Sequence, residues 1–214
     1  MRILALDAAL GPCSAALVEN GILLAQHRSD DPRGASAALP GLVASVLSDS
    51  PGGFAAIAVT VGPGSFTGVR AALALAHGLA LGAATPITGV TSMEAIAAAC
   101  GPTPGRDLWV AIDTRRTRVF LGRGEAITVV APDDLPDPAG PVALAGDAAQ
   151  DVAARLAARG HDVILTGIDR IDAHHVGLAG ARRLAGVMPP REAQPLYVES
   201  PEARPAAMGR PAPA

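Results

Sequence analysis

Apolar positions fall in short runs along the first part of the chain, cut by turn-forming residues. Residues 3–6 form one run and 14–18 another, with Gly11-Pro12 between them. Asn20-Gly21 follows, a dipeptide suited to a two-residue hairpin turn, and 22–26 is apolar again. This pattern predicts three strands joined by tight turns. Residues 28–35 are polar and carry Gly and Pro, which predicts a loop. The period then changes. Leu39, Leu42, Val43 and Val46 recur at helical spacing, so 36–47 reads as a helix. Residues 54–61 are a short run rich in Ala, Ile and Val, as in a buried strand.

GPGSFTGVR occupies 62–70, and an uncharged helical run follows from 71 to 82. Residues 87–90 predict another strand. Thr91 and Glu94 form a T-x-x-E capping box opening a helix over 92–100, which Gly101-Pro102 stops. Beyond 107 the alternation resumes: a strand at 108–112, a turn at 113–117 and a strand at 118–121. A helix over 148–159 ends at Gly160, 162–165 is a strand, and 179–184 lies in a helix ended by Gly186 and Pro189-Pro190. ILALDAALGPCSAALV and LWVAIDTRRTRVFLG share one plan, an apolar strand ending in Asp, a short turn and a returning strand. Asp7 and Asp113 stand half a chain apart. This predicts a duplicated βββα-type unit with a pseudo-two-fold relation, divided into 1–102 and 103–199. Residues 200–214, rich in Pro and Ala without periodicity, are expected to be poorly ordered.

Composition narrows the chemistry. Aromatic residues make up only 2% and much of the apolar content is Ala, so the core must pack backbones closely. The net charge of −3 implies no overall basic face for nucleic acid, leaving a local patch around Arg115, Arg116, Arg118 and Arg123. All 17 basic residues are Arg, which removes P-loop, Schiff-base and general-base lysines. Cys13 and Cys100 are too far apart for a CxxC pattern and read as free thiols. Asp7 interrupts the N-terminal apolar run, so no signal peptide is expected, and the apolar stretch 71–84 is too short to span a bilayer. A cytoplasmic protein with no membrane partner is the expectation.

The glycine segment departs from both standard phosphate loops. Gly68 is followed by Val69-Arg70 where a Walker loop needs Lys, and Thr67 stands where a dinucleotide fingerprint needs its last Gly. Two uses stay open. The N–H groups opening the next helix can bind an anion with help from Arg70; or Gly62, Gly64 and Gly68 only allow a tight turn, with Phe66 packing inward. In the next helix Ala74, Gly78 and Gly82 recur every four residues and make a smooth groove, suited to a partner helix or to internal packing. Asp7 and Asp113 would flank a central cleft of the duplicated fold and hold hydrated Mg²⁺ on a nucleotide phosphate, as an ATPase or small-molecule kinase requires. Alternatively each caps its turn, the reading preferred for Asp113 beside so many arginines and left open for Asp7. His27, His77, His161, His174 and His175 include no pair three or four apart, so no metal is expected, and His174-His175 reads as a solvated loop. Ser65 lies outside a G-x-S-x-G context and no base can be named for it or for Cys13, so no catalytic residue is expected.

GPGSFTGVR, with IAVTVGPGSF leading into it and ALALAHGLALG after it, closely resembles the TsaB (YeaZ) family. ILALDAALGPCSAAL, GVTSMEAIA, AIDTRRTRVF and QPLYV resemble further family segments and occur in the right order. The resemblance implies an α/β, two-lobed actin-like/Hsp70-like ATPase fold, a duplicated mixed sheet flanked by helices. It also implies a non-catalytic scaffold subunit in making N6-threonylcarbamoyladenosine at tRNA position 37. Its main partner would be TsaD, the transferase that carries the metal. TsaE, an ATPase, would join them, and TsaC would supply the threonylcarbamoyl-adenylate. The implied partner surface is Val69, Arg70, Leu73, Ala74, His77, Gly78 and Leu81, with Gly62, Gly64, Ser65, Thr67 and Gly68 shaping its edge or an anion site. Members of the family also form homodimers through this surface. No cofactor is implied on this chain alone, with ATP and Mg²⁺ on the partner subunits. The sequence departs from the family at RGASAALP, which lacks a common His, at Thr117-Arg118, where Gly-Glu is frequent, and at Glu199, where Arg is common.

Overall fold

The computed structural model describes residues 1–29 and 35–198, with side chains for 1–29 and 37–198. The expected disorder of 200–214 and the middle of the expected loop 28–35 lie outside the described residues. Strands β1 (Arg2–Asp7), β2 (Cys13–Glu19) and β3 (Ile22–Ser29) form an antiparallel meander. Asn20 and Gly21 both take positive φ, 52° and 83°, as the two-residue hairpin turn requires. β3 runs three residues past the expected end, because pairing continues as far as Cys13 opposite Ser29.

Helix α1 (Ala35–Asp49) leads to β4 (Ala56–Gly62), which lies parallel to β1. Helix α2 (Phe66–Ala83) crosses to β5 (Ile87–Thr91), and α3 (Ser92–Cys100) follows. The second half repeats the plan with β6 (Asp107–Asp113), β7 (Val119–Arg123) and β8 (Ala126–Val130). A single 3-10 turn, Pro132–Asp134, stands where α1 would be. Then come β9 (Val142–Ala145), α4 (Ala149–Ala158), β10 (Val163–Leu165) and α5 (Ala173–Leu184). The sheets run β3-β2-β1-β4-β5 and β8-β7-β6-β9-β10, the same order with the same strand directions. This is the two-lobed actin-like architecture. β8 and β9 are additional to the sequence reading: β8 is half-buried along most of its length and shows no alternation, and β9 is only four residues long.

Three expectations are corrected. The helix after the glycine segment begins at Phe66 rather than Ala71, because Ser65 is its N-cap and its Oγ accepts the Gly68 N–H at 3.2 Å. The resulting 18 residues, with mean hydropathy 1.3, reach the length and apolarity of a membrane span. Six of them, including Gly68, Val69, Ala72 and Ala76, are buried in the protein. His174-His175 is not a solvated loop but the first turn of α5, where both rings are half-buried and burial lowers the pKa of His175. That turn is anchored by the Ala173 N–H, which donates to Ser14 Oγ at 2.8 Å.

Small residues govern how the layers meet. α5, the last helix among the described residues, lies on the first sheet rather than the second. It comes so close that a Cβ at Gly180 would stand 2.4 Å from Ala58 Cβ, and one at Gly177 2.7 Å from Val18 Cγ2. α3 packs against α5 and reaches the second sheet through Met93, which abuts Gly122. The change of sheet falls between β5 and β6, while packing crosses it through α5. One cluster of buried apolar residues joins β1, β2, β4 and α5 to Val110, Ile112 and Ala145 of the second sheet.

The α3–α5 contact is pinned by an ion pair whose arginine is buried and whose carboxylate is partly buried. Thr91 and Glu94 form the expected capping box, with Thr91 Oγ1 accepting the Glu94 N–H and Glu94 Oε2 accepting the Thr91 N–H. The same carboxylate receives Arg183 from α5 at 2.7 Å.

Candidate functional site

The loops that follow β4 and β9 each bond a backbone carbonyl of the first strand of their sheet or of the turn beyond it. Ser65 N–H donates to Ala9 O at 2.6 Å, and Ala148 N–H donates to Ala111 O at 3.1 Å. The first loop is braced from two more sides. Ser92 Oγ, at the start of α3, donates to Pro63 O at 2.8 Å, and Leu196 N–H donates to Val61 O at 2.8 Å. Close approach explains two glycines here. A Cβ at Gly64 would lie 2.3 Å from Ala9 O, and one at Gly68 1.9 Å from Ala8 O. Gly68→Ala is therefore expected to push α2 off the end of β1 and cost roughly 1–3 kcal/mol. Gly78→Ala meets nothing within 4 Å and should leave stability level or slightly raised. Urea unfolding of both variants checks the contrast, and equal stability of the two would refute it.

The two loops line a cleft of about 600 Å³ between the lobes. Its walls include the glycine loop, Phe66 and Arg70 from one lobe, the β6–β7 turn with Arg115, Arg116 and Arg118 from the other, and Tyr197 near the end of the described chain. The Arg70 guanidinium lies 3.5 Å over the Phe66 ring and donates to Tyr197 Oη at 2.6 Å. Phe66 is 59% exposed, so it does not pack inward as the turn-only reading expected.

Asp7 and Asp113 part company. Asp113 caps its turn, Oδ1 accepting the Arg115 N–H at 2.7 Å, while Oδ2 pairs with the Arg115 guanidinium at 3.2 Å. Arg115 also holds Asp147 Oδ2 at 2.8 Å, and Asp147 Oδ1 accepts the Asp113 N–H. Asp7 is 1% exposed and does not line the cleft. Its Oδ1 accepts from Ala9 N–H and Thr60 Oγ1, its Oδ2 has no partner, and burial lifts its pKa to about 6. Asp7 is thus withdrawn from the cleft that Asp113 lines, so the two matching carboxylates do not face each other across it. Asp147 escaped the sequence reading, although the duplication marks it: it follows β9 as the glycine loop follows β4.

The helix face divides by its period. Val69 and Leu73, named with the partner surface, turn into the core at 6% and 4% exposure, because α2 lays one stripe on the sheet. Arg70, Ala74, His77, Gly78 and Leu81 are exposed, as are Gly64, Ser65 and Thr67 of the loop, while Gly62 and Gly68 are buried. The C-terminal segment reaches two of the exposed residues: Ala193 O accepts from His77 Nε2 at 2.8 Å, and Tyr197 takes Arg70. Among the described residues nothing covers Ala74, Gly78 and Leu81, and Leu81 is 86% exposed. Ser65 Oγ is committed to capping. Cys13 is buried, and burial, then the Asp7 charge, raise its pKa, so its thiol stays protonated. Among the described residues no three His, Cys, Asp or Glu side chains gather as metal ligands.

Residues 33–170 match the family model described as TsaD: tRNA N6-adenosine threonylcarbamoyltransferase. The chain is 38% identical over 124 residues to the tRNA threonylcarbamoyladenosine biosynthesis protein TsaB of Escherichia coli, covering 56% of this chain and 53% of that protein. The match thus spans about half the length of that relative. An uncharacterized Mycobacterium tuberculosis protein, Rv3421c, is 33% identical over 221 residues, covering 96% of this chain and 95% of its own. Among solved structures, YeaZ from Pseudomonas aeruginosa superposes with a TM-score of 0.74 at 26% identity, covering 92% of this chain and 99% of that one. The architecture, the glycine segment and these relatives agree: the chain belongs to the threonylcarbamoyltransferase family defined by that model, in its TsaB (YeaZ) branch.

Proposed function

We propose that the chain is a non-catalytic scaffold subunit in the synthesis of tRNA N6-threonylcarbamoyladenosine at position 37, binding and activating a TsaD transferase subunit. The observation that carries this reading is the open face of α2. Ala74, Gly78 and Gly82 lie on one exposed stripe, and an added Cβ at Gly78 or Gly82 meets no atom within 4 Å. Leu81 stands beside them with most of its surface in water. A smooth, uncharged face of this kind lets a second helix approach closely. On this reading TsaE joins the assembly, TsaC supplies the threonylcarbamoyl-adenylate, and ATP and Mg²⁺ are held by the partner subunits. The same face serves a homodimer when the chain is alone, and the assembly works in the cytoplasm. Residues 1–102 and 103–199 are read as the two lobes.

Co-purification with TsaD tests the reading. The wild-type chain should retain TsaD, and Gly78→Glu should abolish retention while keeping the melting temperature, since the site has room for a side chain. Failure of the wild-type chain to retain TsaD would sink the proposal. So would full retention by Gly78→Glu.

A further inference from the structure

The chain has few aromatic side chains, three Phe, one Trp and one Tyr, and Phe66, Phe120 and Tyr197 line the interlobe cleft. Core packing does not account for two of them, because Phe66 is 59% and Tyr197 51% exposed. Arg70 joins these two into one platform, its guanidinium over the Phe66 ring and bonded to Tyr197 Oη. The β6–β7 turn brings Arg115, Arg116 and Arg118 to the same cleft. Asp113 and Asp147 are there as well, but Arg115 bonds both. Among the lining residues Arg70, Arg115, Arg116 and Arg118 thus outnumber Asp113 and Asp147 beside an exposed π-surface, in a chain whose net charge is −3.

We propose that this cleft receives an unpaired nucleotide of the tRNA, its base stacked on the Phe66–Arg70–Tyr197 platform and its phosphates against the Arg115–Arg118 turn. The inference rests on the tRNA-modification reading above and names the part of the substrate this subunit would hold. Aromatic and guanidinium planes beside backbone-tracking arginines are how single-stranded RNA is held without duplex recognition. A cleft of about 600 Å³ is sized for a small ligand such as one nucleotide. A free nucleoside triphosphate fits less well, because its bound cation would find both cleft carboxylates already paired with Arg115.

The test uses the isolated chain at low salt. Fluorescence anisotropy follows binding of a labelled seven-nucleotide single-stranded RNA, with AMP and ATP titrated separately by calorimetry. The RNA should bind, with AMP competing for the site. Phe66→Ala should weaken binding about tenfold or more through lost stacking. Arg116→Ala, at an exposed turn, should weaken it and flatten the salt dependence by about one phosphate contact. No RNA binding, or binding that survives both substitutions, would overturn the proposal. ATP binding without RNA binding would assign the cleft to a free nucleotide and overturn it too. No partner subunit enters this measurement, so its failure leaves the TsaD co-purification result standing on its own.

Discussion

Arg183→Ala is expected to cost the folded state about 3 kcal/mol, the low end of what breaking a buried ion pair costs. Arg183 is 6% exposed, and its guanidinium is shared among three segments of the chain. Nε donates to Pro189 O at 2.6 Å and Nη1 to Gly89 O at 2.7 Å. Nη2 meets Glu94 Oε1 at 2.7 Å. Truncation would leave two carbonyls without this donor and the Glu94 carboxylate facing only the Thr91 N–H and the more distant Arg191, at 3.7 Å. Burial by itself would raise the pKa of Glu94, but the Arg183 and Thr91 bonds outweigh it and hold the group below its ordinary value. The pair therefore stabilises the fold above the ordinary carboxylate range and loses that contribution as pH falls. Arg183→Lys should recover less than half of the loss, since a lysine cannot reproduce the planar fork. Urea unfolding at pH 7 measures both variants. A loss below about 1 kcal/mol for Arg183→Ala would show that the pin is not needed.

Asp7→Asn is expected to stabilise the protein at neutral pH relative to the wild type, and to do so by roughly 2 kcal/mol more at pH 7.5 than at pH 4. The folded-state pKa of Asp7 is near 6 against 3.8 for the ordinary group, chiefly because burial disfavours the charge. Below 3.8 both folded and unfolded chains carry the proton. As pH rises, the unfolded chain releases it first, so stability falls until the folded group also ionises near pH 6. Asn keeps the shape and an oxygen for the Ala9 and Thr60 bonds but has no charge to bury. Parallel denaturant titrations from pH 4 to 8 give the difference curve. A flat curve would mean that Asp7 titrates as an ordinary exposed carboxylate.

Local features of the fold were legible in the sequence because their causes are local. Asn20-Gly21 forms its turn through the φ values of those two residues alone. The Thr91–Glu94 box closes within four residues and opens α3 where expected. The duplication showed in two strand–Asp–turn–strand openings, and the two sheets repeat one strand order. Less legible were elements whose signal lies elsewhere in the chain. β9 is four residues long and is a strand because β6 and β10 flank it. The first turn of α5 reads as polar, yet Ser14, 159 positions away, receives its Ala173 N–H.

The candidate site divides in the same way. The glycine segment and the uncharged small-residue helix stand out from composition, and their failure to match either phosphate fingerprint follows from Gly68-Val69-Arg70 and Thr67 alone. Which face of α2 is open was not in that pattern, because Val69 and Leu73 are as apolar as the exposed Leu81 and only the sheet beneath selects between them. Asp7 and Asp113 occupy matching places in the repeat, yet one is sealed under Thr60 and the other bonded to Arg115.

The sequence by itself determined most of the strands, the Asn20-Gly21 turn, the Thr91–Glu94 cap, the repeated strand–Asp–turn–strand openings and the small-residue spacing along α2, since each is written in neighbouring residues. Only the tertiary structure decided that Phe66, Arg70 and Tyr197 share one cleft with Arg115 and Arg116, that Asp7 is withdrawn from it, and that α5 returns to the first sheet to place Arg183 on Glu94. The physical reason is common to all three. Burial and charge pairing depend on which distant segments occupy the same volume, and residues 89 and 127 positions apart carry no sign of each other along the chain.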